Sequence, residues 1–118
     1  MQEVPVTARL FPAVLSGDKT VTIRWREPRI VTGPMTYVCE GTGRRAVVEV
    51  IRVTDVPLRA AADLVGRADV WPPRIMLAGM QAHYPRITLD DVVQVIEHLP
   101  CRGDADPRLE GDGVQPRR

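Results

Sequence analysis

Gly17-Asp18-Lys19-Thr20-Val21-Thr22-Ile23-Arg24 is the stretch that decides how this 118-residue chain is interpreted. The apolar run before it, residues 11–16, predicts one or two turns of helix, which a left-handed glycine can end. From residue 20 to residue 25 polar and apolar side chains alternate, and the β-branched residues favour a strand. We expect the face with Val21, Ile23 and Trp25 to lie on a core. We expect the opposite face, with Thr20, Thr22 and Arg24, to line a cleft or a wet surface.

Lys19 lies at the joint between the predicted helix and the predicted strand. It is the only lysine among 16 basic residues, so the other 15 are arginines. A guanidinium stays charged, whereas an ammonium can give up its proton in a desolvated site. A lysine that acts as a general base or as an amine nucleophile must first be in this unprotonated form. Lys19 is therefore a candidate for chemistry, although an exposed lysine retained by chance fits the count equally well.

The composition is that of one ordinary globular domain. Apolar residues make up 44% and charged residues 26% of the chain, both usual for such a domain. The net charge of +1 excludes a global nucleic-acid signature, so any basic patch must be local. No apolar run reaches the length of a membrane span, and the N-terminus lacks the form of a signal peptide. We expect a cytoplasmic protein with no membrane partner.

The cysteines and histidines predict neither a disulfide nor a metal site. Cys39 and Cys101 are far apart in the sequence, which suggests free thiols in a reducing compartment. His83 and His98 complete no metal-ligand spacing. We expect no metal and no other cofactor.

The order of the remaining elements predicts the fold class. We expect an extended lead-in over residues 4–10, strands over 35–40, 45–53 and 91–99, and a hairpin turn over 41–44. Helices are predicted to begin at Pro57 and at Pro72-Pro73, and to end at Gly66 and Pro85. Both faces of 45–53 are rather apolar, which favours a central or barrel strand.

This order predicts an α+β domain over residues 1–100, built around a small mixed or antiparallel β-barrel with two to three short helices. The second long helix is expected to turn four residues at helical spacing towards the core: Met76, Leu77, Met80 and Tyr84. Residues 101–118 have little to bury and are predicted to be a flexible C-terminal tail.

The motif Leu15-x-Gly17-x-Lys19-Thr20-x-Thr22-x-Arg24 resembles the signature of ASCH domains, the small relatives of the PUA RNA-binding barrel. The agreement in order and spacing covers about residues 8–99 and includes His83-Tyr84-Pro85 after the second helix. Within the family, the chain is most similar to the small bacterial 4-acetylcytidine amidohydrolases. These also have a Gly-x-Lys-Thr-x-Thr-x-Arg leader and a Tyr-Pro after the second helix.

The resemblance implies an amide hydrolase that removes an acyl group from a modified cytidine or a similar nucleoside. Lys19 matches the residue that accepts a proton, and Thr22 matches the residue that attacks the amide. The family's acid, which donates a proton to the leaving amine, is a glutamate before the second helix. Counting back from Tyr84 places it at Asp69, where the side chain is one methylene shorter.

Four further residues are expected to bind the substrate: Arg24, Arg26, Trp71 and Tyr84. An arginine beside Thr22 can hold a phosphate, a carbonyl or the acid, and an exposed Trp can stack on a base. Trp25, on the apolar strand face, is expected in the core instead. A possible basic stripe is diluted by glutamates at 27, 40 and 49, which favours an ordinary charged surface; its arginines are Arg24, Arg26, Arg29, Arg44 and Arg45.

Two alternatives use the same residues: a non-catalytic RNA-binding module and a ribonuclease. A modified nucleoside needs only a small pocket, whereas single-stranded or structured RNA needs an extended basic track. Binding to such a track weakens steeply with salt. The size of the partner therefore separates these hypotheses.

Overall fold

A computed structural model describes residues 1–102 of the chain. In that range the elements follow the order strand, helix, three strands, two helices, strand. They are β1 Gln2–Val6, α1 Phe11–Ser16, β2 Val21–Arg24, β3 Gly33–Cys39, β4 Arg45–Pro57, α2 Leu58–Leu64, α3 Pro73–Gln81 and β5 Val92–His98. The predicted order, the α+β class and the number of short helices are confirmed. Apart from Cys101, which is buried, and Arg102, the predicted tail lies outside the described residues.

The five strands form one mixed sheet in the order β1-β3-β4-β5-β2. β1 runs parallel to β3, with Val4 opposite Tyr37, and β3 runs antiparallel to β4, with Met35 opposite Val48. The predicted hairpin turn is confirmed, because the Cys39 N–H donates to the Arg44 carbonyl at 2.8 Å. β4 lies third of five, as its two apolar faces predicted.

The lead-in differs from its prediction at both ends. β1 begins at Gln2 and ends at Val6, instead of covering residues 4–10. The Thr7 carbonyl accepts hydrogen bonds from the backbone N–H groups of Leu10 and Phe11, at 3.0 and 3.1 Å, and this turn commits the chain to α1. Pro5 is tolerated within β1 because this strand lies at the edge of the sheet.

The chain divides into two compact units, each made of separated segments. Of the described residues, the first contains Met1–Val21, Val31–Arg52 and residues 97–102, and the second contains Thr22–Ile30 and Val53–Ile96. Since neither unit is one continuous stretch, no linker or change of composition marks them in the sequence. The single domain predicted over 1–100 followed from the length of the chain.

In the first unit, Thr36 of β3 is buried, and six apolar side chains of β3 and β4 are buried with it. They are Met35, Tyr37 and Cys39 on β3 and Ala46, Val48 and Val50 on β4. β1 and α1 add four more apolar side chains: Val4, Val6, Phe11 and Val14. Each large apolar side chain removed from water contributes about 1.5–3 kcal/mol. The second apolar face of β4 is not covered, since Val47 and Ile51 are exposed.

In the second unit, the two helices bury less than predicted. α2 contributes three buried residues, Leu58, Ala61 and Ala62, whereas α3 contributes only Met76 of the four expected. α3 ends at Gln81 and not at Pro85. The Met80 carbonyl accepts from the N–H groups of both His83 and Tyr84, at 3.0 and 2.8 Å, so the chain leaves the helix in a tight turn. Tyr84 is therefore half-buried on a turn instead of lying on a helix face.

Candidate functional site

The turn before β2 places Lys19 outside the strand, as the sequence predicts. Gly17 ends α1 with φ +87°, where a Cβ would lie 3.1 Å from the Pro100 Cβ. The Lys19 N–H then donates to the Ala13 carbonyl at 2.9 Å, which folds the turn back onto α1. The side chain is half-buried, and its Nζ donates to the Val21 carbonyl at 2.6 Å. The only lysine is thus fixed on the backbone of the residue that precedes Thr22 in the chain.

The first unit also contains a buried tyrosine–histidine pair. Tyr37 is fully buried and His98 is 3% exposed, with 2.7 Å between the Tyr37 hydroxyl and His98 Nε2. His98 Nδ1 lies 2.8 Å from the Leu99 carbonyl. Because a carbonyl can only accept a hydrogen bond, His98 Nδ1 carries the ring proton. Nε2 of the neutral ring then accepts a hydrogen bond from the Tyr37 hydroxyl. Burial lowers the pKa of His98, and the nearby charge of Lys19 lowers it further.

Thr22 reverses the predicted faces of β2. It is the one buried residue of the strand, 4% exposed, whereas Val21, Ile23 and Trp25 are only half-buried. The expectation that the apolar face lies on the core was therefore wrong. A buried hydroxyl needs a partner, and Arg24 Nε donates to Thr22 Oγ1 at 2.9 Å. Arg24 and Thr22 lie on the same face of the strand, and this hydrogen bond satisfies the hydroxyl group that β2 buries.

Arg24 and Thr22 belong to a chain of polar contacts in the second unit. The Arg24 side chain is 11% exposed, and its Nη1 lies 3.8 Å from Oε1 of Glu27. The Tyr84 hydroxyl donates to Oε2 of the same carboxylate. We call Thr22, Arg24, Glu27 and Tyr84 the Thr22 cluster. It joins the end of β2 to the turn after α3.

Tyr84 keeps its proton in this environment. Burial, the hydrogen bond to Glu27 and the charge of that carboxylate raise the pKa of Tyr84 to about 12. A phenol with this pKa is neutral at physiological pH, so it donates to the carboxylate throughout the working range. The Glu27 side chain thus has a permanent donor on one oxygen and a cation near the other.

Trp25 and Arg26 flank the cluster. The centroids of the Tyr84 and Trp25 rings lie 5.9 Å apart, with an angle of 89° between the ring planes. The Arg26 guanidinium lies 4.2 Å from the Trp25 ring centroid. Arg26 has φ +58°, an uncommon backbone conformation for a residue other than glycine. Trp25 was expected in the core, but it lies half-buried between these two side chains. Arg26 is exposed, as a substrate-binding role requires.

Asp69 and Trp71 lie in the loop between α2 and α3. Asp69 is exposed. Trp71 is half-buried, with the Arg67 guanidinium 5.1 Å from its ring centroid. The backbone N–H of Trp71 donates to the Arg67 carbonyl at 2.8 Å, and this hydrogen bond closes the loop. The roles of Asp69 as acid and of Trp71 as stacking platform stay predictions.

Glu27 is the residue of the cluster that sequence reasoning missed. The sequence counts it only as a charge that dilutes a basic stripe. Its spacing of three residues from Arg24 was the available signal. Its other partner, Tyr84, is 57 residues away along the chain, and no local pattern predicts such a pair. The structure brings the Glu27 carboxylate to Arg24, and Arg24 in turn contacts Thr22.

The predicted basic stripe is largely offset by acids. Arg24 pairs with Glu27, Arg29 pairs with Asp55, and Arg45 pairs with Glu3. The latter two pairs are exposed on both sides. These arginines therefore present paired charges, which agrees with the expectation of an ordinary charged surface.

Among residues 1–102, no helix is long and apolar enough to cross a membrane. The same residues contain no group of three or more His, Cys, Asp or Glu side chains that could hold a metal ion. Cys39 and Cys101 are both buried free thiols. The chain matches no protein-family model, no curated protein and no solved structure with which it was compared.

Proposed function

We propose that this chain is an ASCH-type, PUA-like amide hydrolase that removes the acyl group from the exocyclic amine of a 4-acetylcytidine-like nucleoside. The observation that supports it most is the buried Thr22 hydroxyl, which accepts a hydrogen bond from the Arg24 guanidinium at 2.9 Å. Any buried hydroxyl needs a hydrogen-bond partner. Here the partner is a charged donor, which also stabilises the alkoxide that forms when a threonine acts as a nucleophile.

The reaction splits an amide in two steps. Thr22 Oγ attacks the acyl carbon while its proton passes to the Lys19 amine, the base that the resemblance implies. The C–N bond then breaks as the leaving amine takes a proton from the acid, for which the resemblance implies Asp69. Water hydrolyses the resulting ester, which releases the carboxylic acid and restores the Thr22 hydroxyl.

Arg24 supports the first step by its charge and by the direction of its hydrogen bond. Its Nε–H occupies one lone pair of Thr22 Oγ1, which leaves the hydroxyl proton free to move to a base. A fixed positive charge beside the oxygen favours the developing alkoxide. Removing one such donor from an active site typically costs about 10²–10³-fold in kcat.

The pairing of the basic residues favours a small substrate over an RNA groove. Three of the five arginines in the predicted stripe have an acidic partner, and phosphate binding depends on uncompensated cations. One observation favours the RNA-binding module as a second candidate. Arg26 is exposed on the face of Trp25 beside the cluster, and such a pair can contact a phosphate and a base.

The location that we propose for this activity is the cytoplasm. The support is the pair of free thiols, Cys39 and Cys101, because reduced cysteines are typical of that compartment.

The test is hydrolysis of 4-acetylcytidine by the purified protein and by Thr22→Val. This substitution keeps the β-branched shape and removes the hydroxyl. Thr20→Val is the matched control, because Thr20 precedes β2 and contributes its backbone carbonyl to the His98 N–H at 2.9 Å. We expect the wild type and Thr20→Val to release cytidine and acetate, and Thr22→Val to lose this activity.

If Thr22→Val hydrolyses the substrate as fast as the wild type, Thr22 is not the nucleophile and the proposal is wrong. If the wild type releases no cytidine but binds RNA with an affinity that falls steeply with salt, the RNA-binding module replaces it.

A further inference from the structure

We propose that Glu27 and Tyr84 are positioning residues that hold the Arg24 guanidinium against the Thr22 hydroxyl. The catalytic consequence rests on the proposed hydrolase function, but the positioning itself is a claim about Arg24 that can be measured without substrate. Neither residue touches the reacting atoms in this scheme. Both act through Arg24.

Arg24 is held on Thr22 by more than the hydrogen bond to the hydroxyl. An arginine side chain has many rotamers, so each further contact narrows its orientation. Glu27 supplies one such contact, since its Oε1 lies 3.8 Å from Arg24 Nη1 on a side chain that is 24% exposed.

Glu27 in turn depends on Tyr84. Glu27 lies in the bend after β2, directly after the left-handed Arg26, so its backbone is in no regular element. The Tyr84 hydroxyl donates to its Oε2. This bond fixes the carboxylate with one oxygen on the phenol and the other towards Arg24.

Tyr84 is the rigid end of the chain of contacts. Its N–H donates to the Met80 carbonyl at 2.8 Å, and its ring packs edge-on against Trp25 and His83, at 5.9 and 6.5 Å. A tyrosine has only two side-chain torsions to restrain. Tyr84 thus holds the Glu27 carboxylate in place, and Glu27 holds the Arg24 guanidinium beside Thr22. Supporting partners of this kind commonly orient the groups of a functional site.

The role requires a negative charge and a hydroxyl donor, which two conservative variants remove separately. Glu27→Gln keeps the shape and loses the charge that attracts Arg24. Tyr84→Phe keeps the ring against Trp25 and loses the donor. Asp55→Asn is the control, because it removes the acid of the Arg29 ion pair in the same unit without touching the cluster.

The first measurement is hydrogen exchange of the Arg24 Nε–H by NMR, with the signal assigned by its loss in Arg24→Lys. In the wild type and in Asp55→Asn we expect a protected signal, because this proton is bonded to Thr22. In Glu27→Gln and Tyr84→Phe we expect exchange to become at least several-fold faster. A signal equally protected in both variants overturns the proposal, whatever their activity.

The second measurement is the kinetics of 4-acetylcytidine hydrolysis. At metal sites, loss of the partner that orients a ligand typically costs about 10–100-fold, and we expect a loss of the same order for the partners of Arg24. We expect that loss in kcat for Glu27→Gln and Tyr84→Phe and not for Asp55→Asn, with KM little changed in Glu27→Gln. Unchanged kcat in both variants of a working hydrolase overturns the catalytic role. If the wild type does not hydrolyse the substrate but the Arg24 signal responds as expected, the proposed function fails and the positioning stands.

Discussion

The chain has two tyrosines, and they differ in what their hydroxyl groups bond. Tyr37 is fully buried, and its hydroxyl pairs with the neutral ring of His98. Tyr84 is half-buried, and its hydroxyl donates to the carboxylate of Glu27. The Tyr37 pair is neutral, satisfied and closed to water. The Tyr84 pair carries charge and continues through Glu27 to Arg24 and Thr22.

The two tyrosines represent two kinds of polar contact, one that supports folding and one that we expect to support chemistry. A buried neutral pair satisfies groups that would otherwise be costly to bury. A charged chain of contacts at the edge of the interior gains little stability because solvent screens it. We therefore expect changes at Tyr37 to affect folding and changes around Tyr84 to affect chemistry.

Tyr37→Phe is expected to have the largest effect on stability. It removes the donor to His98 Nε2 and leaves a buried ring nitrogen without this partner. Such a loss costs about 1–3 kcal/mol of the free energy of unfolding. Urea denaturation at neutral pH measures it, with Tyr84→Phe as the comparison expected to lose less. An equal or larger loss in Tyr84→Phe would contradict the distinction between the two tyrosines.

Tyr84 should make the free energy of unfolding fall at alkaline pH. Its pKa is raised from 10.0 to about 12, so the folded state holds the proton more tightly than the unfolded state does. The resulting stability is fully present below pH 10 and is lost as the pH rises from 10 to 12. The full shift corresponds to about 2.7 kcal/mol, which solvent screening at this half-buried ring reduces to about 1–2 kcal/mol.

Denaturation of the wild type and Tyr84→Phe at several pH values between 9 and 12 tests this dependence. The difference in unfolding free energy between the two proteins is expected to shrink across that range. A difference that stays constant would show that the Tyr84 proton is not held by the fold.

Glu3→Gln is expected to have the smallest effect. Arg45 and Glu3 form an exposed pair, with side chains 42% and 46% exposed. Exposed ion pairs contribute about 0–1 kcal/mol, so the free energy of unfolding should change by no more than that. Urea denaturation in low and high salt measures it. A loss as large as that of Tyr37→Phe would show that exposure does not separate structural from dispensable contacts here.

The sequence predicts most of the fold because local signals and element order agree. The glycine after α1, the hairpin at 41–44 and the prolines before both longer helices each act locally, and the structure places elements there. The faces of β2 could not be predicted, because alternation does not say that Arg24 satisfies a buried Thr22 hydroxyl. The contact between Glu27 and Tyr84 could not be predicted either, because it joins residues that are 57 positions apart in the chain.

The most direct test of the account is the rate of cytidine release from 4-acetylcytidine by the wild type and by Lys19→Arg. Arginine keeps the positive charge at residue 19 but cannot give up a proton at working pH. If the Lys19 amine takes the proton of Thr22, the variant loses activity by about 10²–10⁴-fold, the usual contribution of a general base. Full turnover by Lys19→Arg would contradict this mechanism, and unchanged, salt-dependent RNA binding with no turnover in either protein would contradict the hydrolase altogether.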